Sequence, residues 1–169
     1  MNGNEQESEI ASLRELICKT FPAERFDGMI TPVDGAFSEE LDDEKDLYET
    51  LQNLKWPEIP ATFVRANPDG FVLLTDAACA AFLPAWLIQS LDAQKENIVR
   101  EFVSYAFSPR EDMAPDTSFN IANRFRQLNF AQRSTLRAVL EHFVKYEPSE
   151  FIRNHAERAV AFIENLSQQ

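Results

Sequence analysis

Between residues 39 and 49 the chain places seven carboxylates, Glu39, Glu40, Asp42, Asp43, Glu44, Asp46 and Glu49, against one cation, Lys45. Acid–base catalysis by a carboxyl group needs burial or a like-charged neighbour to raise its pKa. A run this polar faces water instead, where it either keeps the protein in solution or docks a cationic partner. Both readings fit the residues. A second cluster is cationic: Arg124, Arg126, Arg133 and Arg137. Arg133 and Arg137 are four apart, a spacing that puts two guanidinium groups on one helical face and could hold an anion. Internal pairing with the acidic front half and with Glu141 would occupy the same groups.

The other reactive residue types offer less. His142 falls on the polar side of its helical repeat and His155 at the edge of the apolar stripe of the next, with no second histidine or cysteine at ligand spacing. No metal site is predicted. No GxSxG elbow precedes a helix, and four glycines form neither a GxGxxG turn nor a phosphate loop, so no cofactor is expected. Cys18 and Cys79 stand far apart outside any CxxC pattern. The start, MNGNEQESEI, has neither a positive region nor an apolar one of the kind a secretory signal carries. The expectation is a cytoplasmic protein with reduced thiols.

Charge is unevenly spread. The net charge is −12, with 15 acids and 5 bases in residues 1–60, and 5 acids and 7 bases in residues 121–169. The acidic front half repels a phosphate backbone, which argues against nucleic acid as a partner. A basic protein would be attracted and its association accelerated.

These groups need a scaffold, and 169 residues suffice for one domain with its own core. Its centre is Thr75–Leu91, where every residue from Ala77 to Ile88 except Pro84 is apolar. As a helix this segment has no polar face and must be enclosed by protein. It is too short to cross a bilayer, and Asp76 and Asp92 bracket it, so no membrane span is expected. Thr75 reads as its N-cap, and Pro84 predicts a kink or fresh start near Phe82 or Leu83.

Around that centre, residues 1–6 are expected to fray. Apolar positions from Ser8 to Phe21 recur at helical spacing, and Pro22 ends that helix. Residues 26–37 read as irregular, with at most a short strand at Met29 and Ile30. Ser38 reads as the cap of an acidic helix reaching Leu54. After the stiff Trp56–Pro60 corner, Asn67-Pro68-Asp69-Gly70 favours a small β-hairpin over 60–74, the alternative being a short helix from Pro60 to Val64. Ile98 to Tyr105 is helical, and 108–117 is expected to be a mobile loop. Helices follow over Phe119–Leu128, from a capping box at Asn129 and Gln132 through Val144, and from Ile152 to Leu166. The predicted fold is mostly α (α+β): a single-domain orthogonal helical assembly around the buried helix, with at most a small hairpin.

Trp56-Pro57-Glu58-Ile59-Pro60, then Leu73-Leu74-Thr75, then Phe82-Leu83-Pro84-Ala85-Trp86, resemble a family of small bacterial proteins that share a domain of unknown function. The spacing of Arg124, Leu128, Gln132 and Phe143 is similar too. Phe82 and Trp86 depart from it, since tyrosine is expected at the first and is commoner at the second. The resemblance covers about Leu13 to Phe143 and implies a bacterial single domain; its motifs are core residues and supply no active site.

Two functions are therefore expected from the residues. The first is an acidic cytoplasmic protein-binding module, in concrete form an immunity-type inhibitor of a basic partner such as a toxin nuclease, using the seven acids of 39–49. The second is a small enzyme or anion-binding protein using Arg124, Arg126, Arg133 and Arg137 with His142 and the 108–117 loop.

Overall fold

The computed structural model describes residues 3–38, 40–92, 97–109 and 121–166. Helix α1 spans Gly3–Thr20, α2 Asp42–Leu51, a 3₁₀ turn Trp56–Glu58, α3 Ala61–Ala66 and α4 Gly70–Leu73. Then come α5 Asp76–Ser90, α6 Ile98–Ala106, α7 Ile121–Gln127, α8 Phe130–Tyr146 and α9 Glu150–Leu166. Among the described residues there is no strand, so the fold is mostly α without the β component.

Helix α5 is the centre that its composition demands. It packs against α1, α3, α4, α6, α7 and the 3₁₀ turn, and Phe82, Leu83, Trp86 and Leu87 are all essentially inaccessible to water. Burying each of these side chains is worth roughly 1.5–3 kcal/mol. Thr75 caps it, its Oγ1 accepting from the Ala78 N–H at 3.2 Å. The helix runs unbroken through Pro84, so the fresh start expected at Phe82 or Leu83 does not occur. Its lower end is closed by α6. Asn97 Nδ2 donates to the carbonyls of Gln89, Ser90 and Asp92. Arg100 donates to Ser90 and Asp92 and pairs with the buried Glu147 at 2.6 Å. Carbonyls at a helix C-terminus lack intrahelical partners, and these two side chains supply them.

The expected hairpin over 60–74 is instead two short helices. Pro60 fixes an extended residue from which α3 starts, and α4 follows one turn later. Gly70 is not a left-handed turn residue: Gly35 alone among the described residues has positive φ. A Cβ at Gly70 would meet Leu47 Cδ2 at 3.0 Å, Asn67 Cβ at 3.2 Å and Trp86 Cζ2 at 3.3 Å. Close approach of α2 and α5, not turn geometry, requires the glycine.

Three boundaries also move. Helix α1 takes in residues 3–6, which were expected to fray, and Glu5 in its first turn pairs with Lys145 of α8 at 3.2 Å. Ser38 does not cap the acidic helix; its carbonyl closes a turn with the Leu41 N–H, and Leu41 precedes α2 without a side-chain cap. The segment at Met29 and Ile30 docks as single strapped backbone. The Thr75 hydroxyl donates to the Met29 carbonyl at 2.6 Å, the Thr75 N–H to the Ile30 carbonyl at 2.9 Å, and Asp34 accepts from both Ile30 and Thr31 N–H groups. Most of the 108–117 loop, and the start of the helix expected from Phe119, lie outside the described residues.

Candidate interaction surface

Leu47 and Leu51 anchor α2, both about 1% exposed. With 3.6 residues per turn, Asp42, Asp46 and Glu49 form the stripe opposite these anchors and point straight out. Glu40, Asp42, Asp43, Asp46 and Glu49 are exposed and Glu44 is half-buried; Glu39 lies outside the described residues. Tyr48 flanks the stripe, tilted against Phe37 with ring centroids 5.5 Å apart. Of the described acids, Asp42, Asp46 and Glu49 thus share the outward stripe of α2, Asp43 and Glu44 stand to either side of its anchored face, and Glu40 precedes the helix.

The ion pairs of the described residues bypass that face. Arg14 and Arg65 bind Asp92, Arg100 binds Glu147, Arg124 binds Asp76, Arg137 binds Glu141 and Glu164, and Lys145 binds Glu5 and Glu9. No carboxylate from Glu40 to Glu49 is in an ion pair among the described residues. Seven acids and one lysine between 39 and 49 leave a local charge of −6, half of the chain's net −12.

The four arginines go different ways. Arg124 is 3% exposed, and its guanidinium donates to the carbonyls of Phe71, Val72 and Leu74 at 2.8, 2.8 and 2.9 Å. It closes the C-terminus of α4 and braces α7 against α5, which leaves it no face for a soluble anion. Arg126 is exposed and donates to Asn123 at 2.9 Å. Arg133 is half-buried, with its Nε enclosed and without a hydrogen-bond partner among the described residues. Arg137 bridges α8 to α9 through Glu141 at 2.8 Å and Glu164 at 2.7 Å.

His142 also serves packing. Only 4% of its side chain is exposed, and Nδ1 lies 2.9 Å from Glu9 Oε1. Burial pushes its pKa down, only partly offset by the Glu9 carboxylate, so at neutral pH the imidazole is uncharged and its Nδ1–H donates to Glu9. Burial alone would push the Glu9 carboxyl up, but hydrogen bonds from His142, Lys145 and Tyr146 outweigh it and hold the carboxyl below its ordinary value. This clamp joins α1 to α8. His155 is buried between Tyr105 and Phe151, with ring centroids 5.1 and 4.5 Å away. Cys79 is buried and its thiol pushed up by burial, so it is no nucleophile, while Cys18 is exposed; both are free.

Two cavities are of note. One of about 140 Å³ is lined by Phe21, Arg25, Phe26, Ala80, Ala81 and Gln132, among others. One of about 270 Å³ lies on the seam between α8 and α9. Neither is lined by His142 or by any of the four arginines. Among the described residues no group of three or more His, Cys, Asp or Glu could hold a metal ion, and no helix is long and apolar enough to cross a membrane.

Sequence reasoning missed Asn97, Arg100 and Glu147. A polar, a basic and an acidic residue separated by up to 50 positions carry no local pattern; their meeting depends on how α5, α6 and the α8–α9 turn pack. In comparisons with known proteins, no family model, no curated protein and no solved structure matches the chain.

Proposed function

We propose that the chain is a protein-binding module whose acidic α2 face docks a basic protein, in the manner of an immunity-type inhibitor covering the cationic surface of a partner such as a toxin nuclease. One observation carries this reading: Glu40, Asp42, Asp43, Asp46 and Glu49 are exposed and, among the described residues, in no ion pair, while Arg100, Arg124, Arg137 and Lys145 are paired elsewhere in the fold. A cluster of like charge strains the folded state by self-repulsion. An incoming cationic surface relieves that repulsion, and the pull acts over about a Debye length, roughly 8 Å at physiological salt. A surface built to grip phosphates would find in Asp42, Asp46 and Glu49 a row of anions at helical spacing. The two free cysteines, one of them exposed, suit a reducing compartment, and we place the encounter in the cytoplasm.

The test is recovery of the tagged protein from its own cells at low and at high salt. A stoichiometric basic protein that is retained at low salt and released at high salt supports the reading. Retention that is indifferent to salt, or equal retention by a variant with Glu40, Asp42, Asp43, Glu44, Asp46 and Glu49 changed to their amides, overturns it.

A further inference from the structure

Helices α8 and α9 are joined by a short turn and run antiparallel, since Arg137 early in α8 reaches Glu164 late in α9. Their outward seam is the cavity of about 270 Å³, with Val144, Val160 and Ala161 as its floor and Glu141, Glu157 and Glu164 on its walls. The lining residues stand three or four apart on both helices: 141 and 144 on one, 157, 160 or 161, and 164 on the other. That register presents a straight furrow about 10 Å long at a rise of about 1.5 Å per residue, the form into which a third helix seats an apolar side chain.

We propose that this furrow is a docking site, distinct from the α2 face, for a basic amphipathic helix carried by a partner protein. The floor has no polar side chain and calls for an apolar anchor. Of the three lining carboxylates, Arg137 holds Glu141 and Glu164, and Glu157 is in no ion pair among the described residues, which calls for a lysine or arginine beside that anchor. Polarity along the furrow follows from Arg137, which already engages Glu141 and Glu164 at one end. Glu157 at the other end is exposed and in no ion pair among the described residues, so the partner's strongest cationic contact falls there. The same acidity disfavours a second copy of this chain, whose net charge is −12, and any anionic lipid or nucleic acid.

The experiment maps backbone amide shifts of the full-length chain against two probe peptides of about 14 residues, two heptads in length. One is an amphipathic leucine–lysine helix; the other is oligolysine, which has the charge without the anchor. The leucine–lysine peptide is expected to shift amides over 137–144 and 157–164, while oligolysine leaves Val144, Val160 and Ala161 unmoved. Val160→Lys, which fills the floor with a cation, and Glu157→Lys at an exposed site that tolerates substitution are each expected to weaken the leucine–lysine peptide about tenfold, the scale of one interface anchor. Three results overturn the proposal: no shift at Val144, Val160 and Ala161, equal groove shifts by oligolysine, or undiminished binding to the folded Glu157→Lys variant.

Discussion

Arg124 is the residue on which sequence and structure part most sharply. Its charge and its place among three other arginines suggest a ligand site, yet its guanidinium is spent on the carbonyls of Phe71, Val72 and Leu74. Arg124→Leu leaves those buried acceptors without their donor and Asp76 without its partner, so it should lower unfolding free energy by roughly 3–5 kcal/mol in urea titrations. Arg124→Lys should recover little, because one ammonium group cannot span the fork that three carbonyls require. The Glu9–His142 clamp makes a second residue-scale prediction. Glu9 titrates below its ordinary 4.5 when folded, so its contribution is complete above about 4.5 and is lost as pH falls through the folded value. His142 titrates below its ordinary 6.5 when folded; the unfolded chain binds the extra proton, so stability also falls as pH drops below 6.5. Glu9→Gln should therefore destabilise the protein near neutrality and converge on the wild type in acid, and His142→Gln should flatten the slope just below pH 6.5. Denaturation midpoints measured across that range check both.

At the scale of elements, Thr75 joins two functions in one side chain: it caps α5 and straps the Met29 carbonyl. Thr75→Ala should cost about 1–2 kcal/mol as a lost cap and should also make the 26–37 segment a site of early proteolytic nicking, which a limited-digestion time course would show. The cap itself was readable, since threonine before an apolar run has a local meaning, and so was the capping box at Asn129 and Gln132. The central helix was readable because twelve nearly all-apolar positions admit one environment. What failed to read was whatever depended on a distant neighbour. Asn67-Pro68-Asp69-Gly70 has hairpin chemistry, but Gly70 answers to Leu47 and Trp86, 23 and 16 residues away. Gly70→Ala should accordingly cost about 1–3 kcal/mol through overpacking, where a hairpin glycine would have been penalised through its φ. Likewise the exposure of Asp42, Asp43, Asp46 and Glu49 on α2 was legible, since exposure follows from charge and period, whereas Glu44 is half-buried. That the α2 carboxylates stay outside every ion pair of the described residues was not legible, because pairing is decided by which helices meet.

The whole molecule combines a mostly α body, organised about α5, with a charge layout in which Arg100, Arg124, Arg137 and Lys145 are paired within the fold and α2 alone carries a net charge of −4. Such a layout affects encounter more than it affects folding: uncompensated like charge contributes nothing to a core, but it raises the rate at which an opposite surface arrives. The most direct test of the proposed function is the association rate with a basic protein recovered at low salt and released at high salt, measured across ionic strength for the wild type and for the variant with Glu40, Asp42, Asp43, Glu44, Asp46 and Glu49 changed to amides. The wild-type rate should fall steeply with salt, and the variant should start at least about tenfold slower at low salt and meet the wild type at high salt. Superimposable rates at every ionic strength would contradict the claim that the acidic face of α2 recognises the partner.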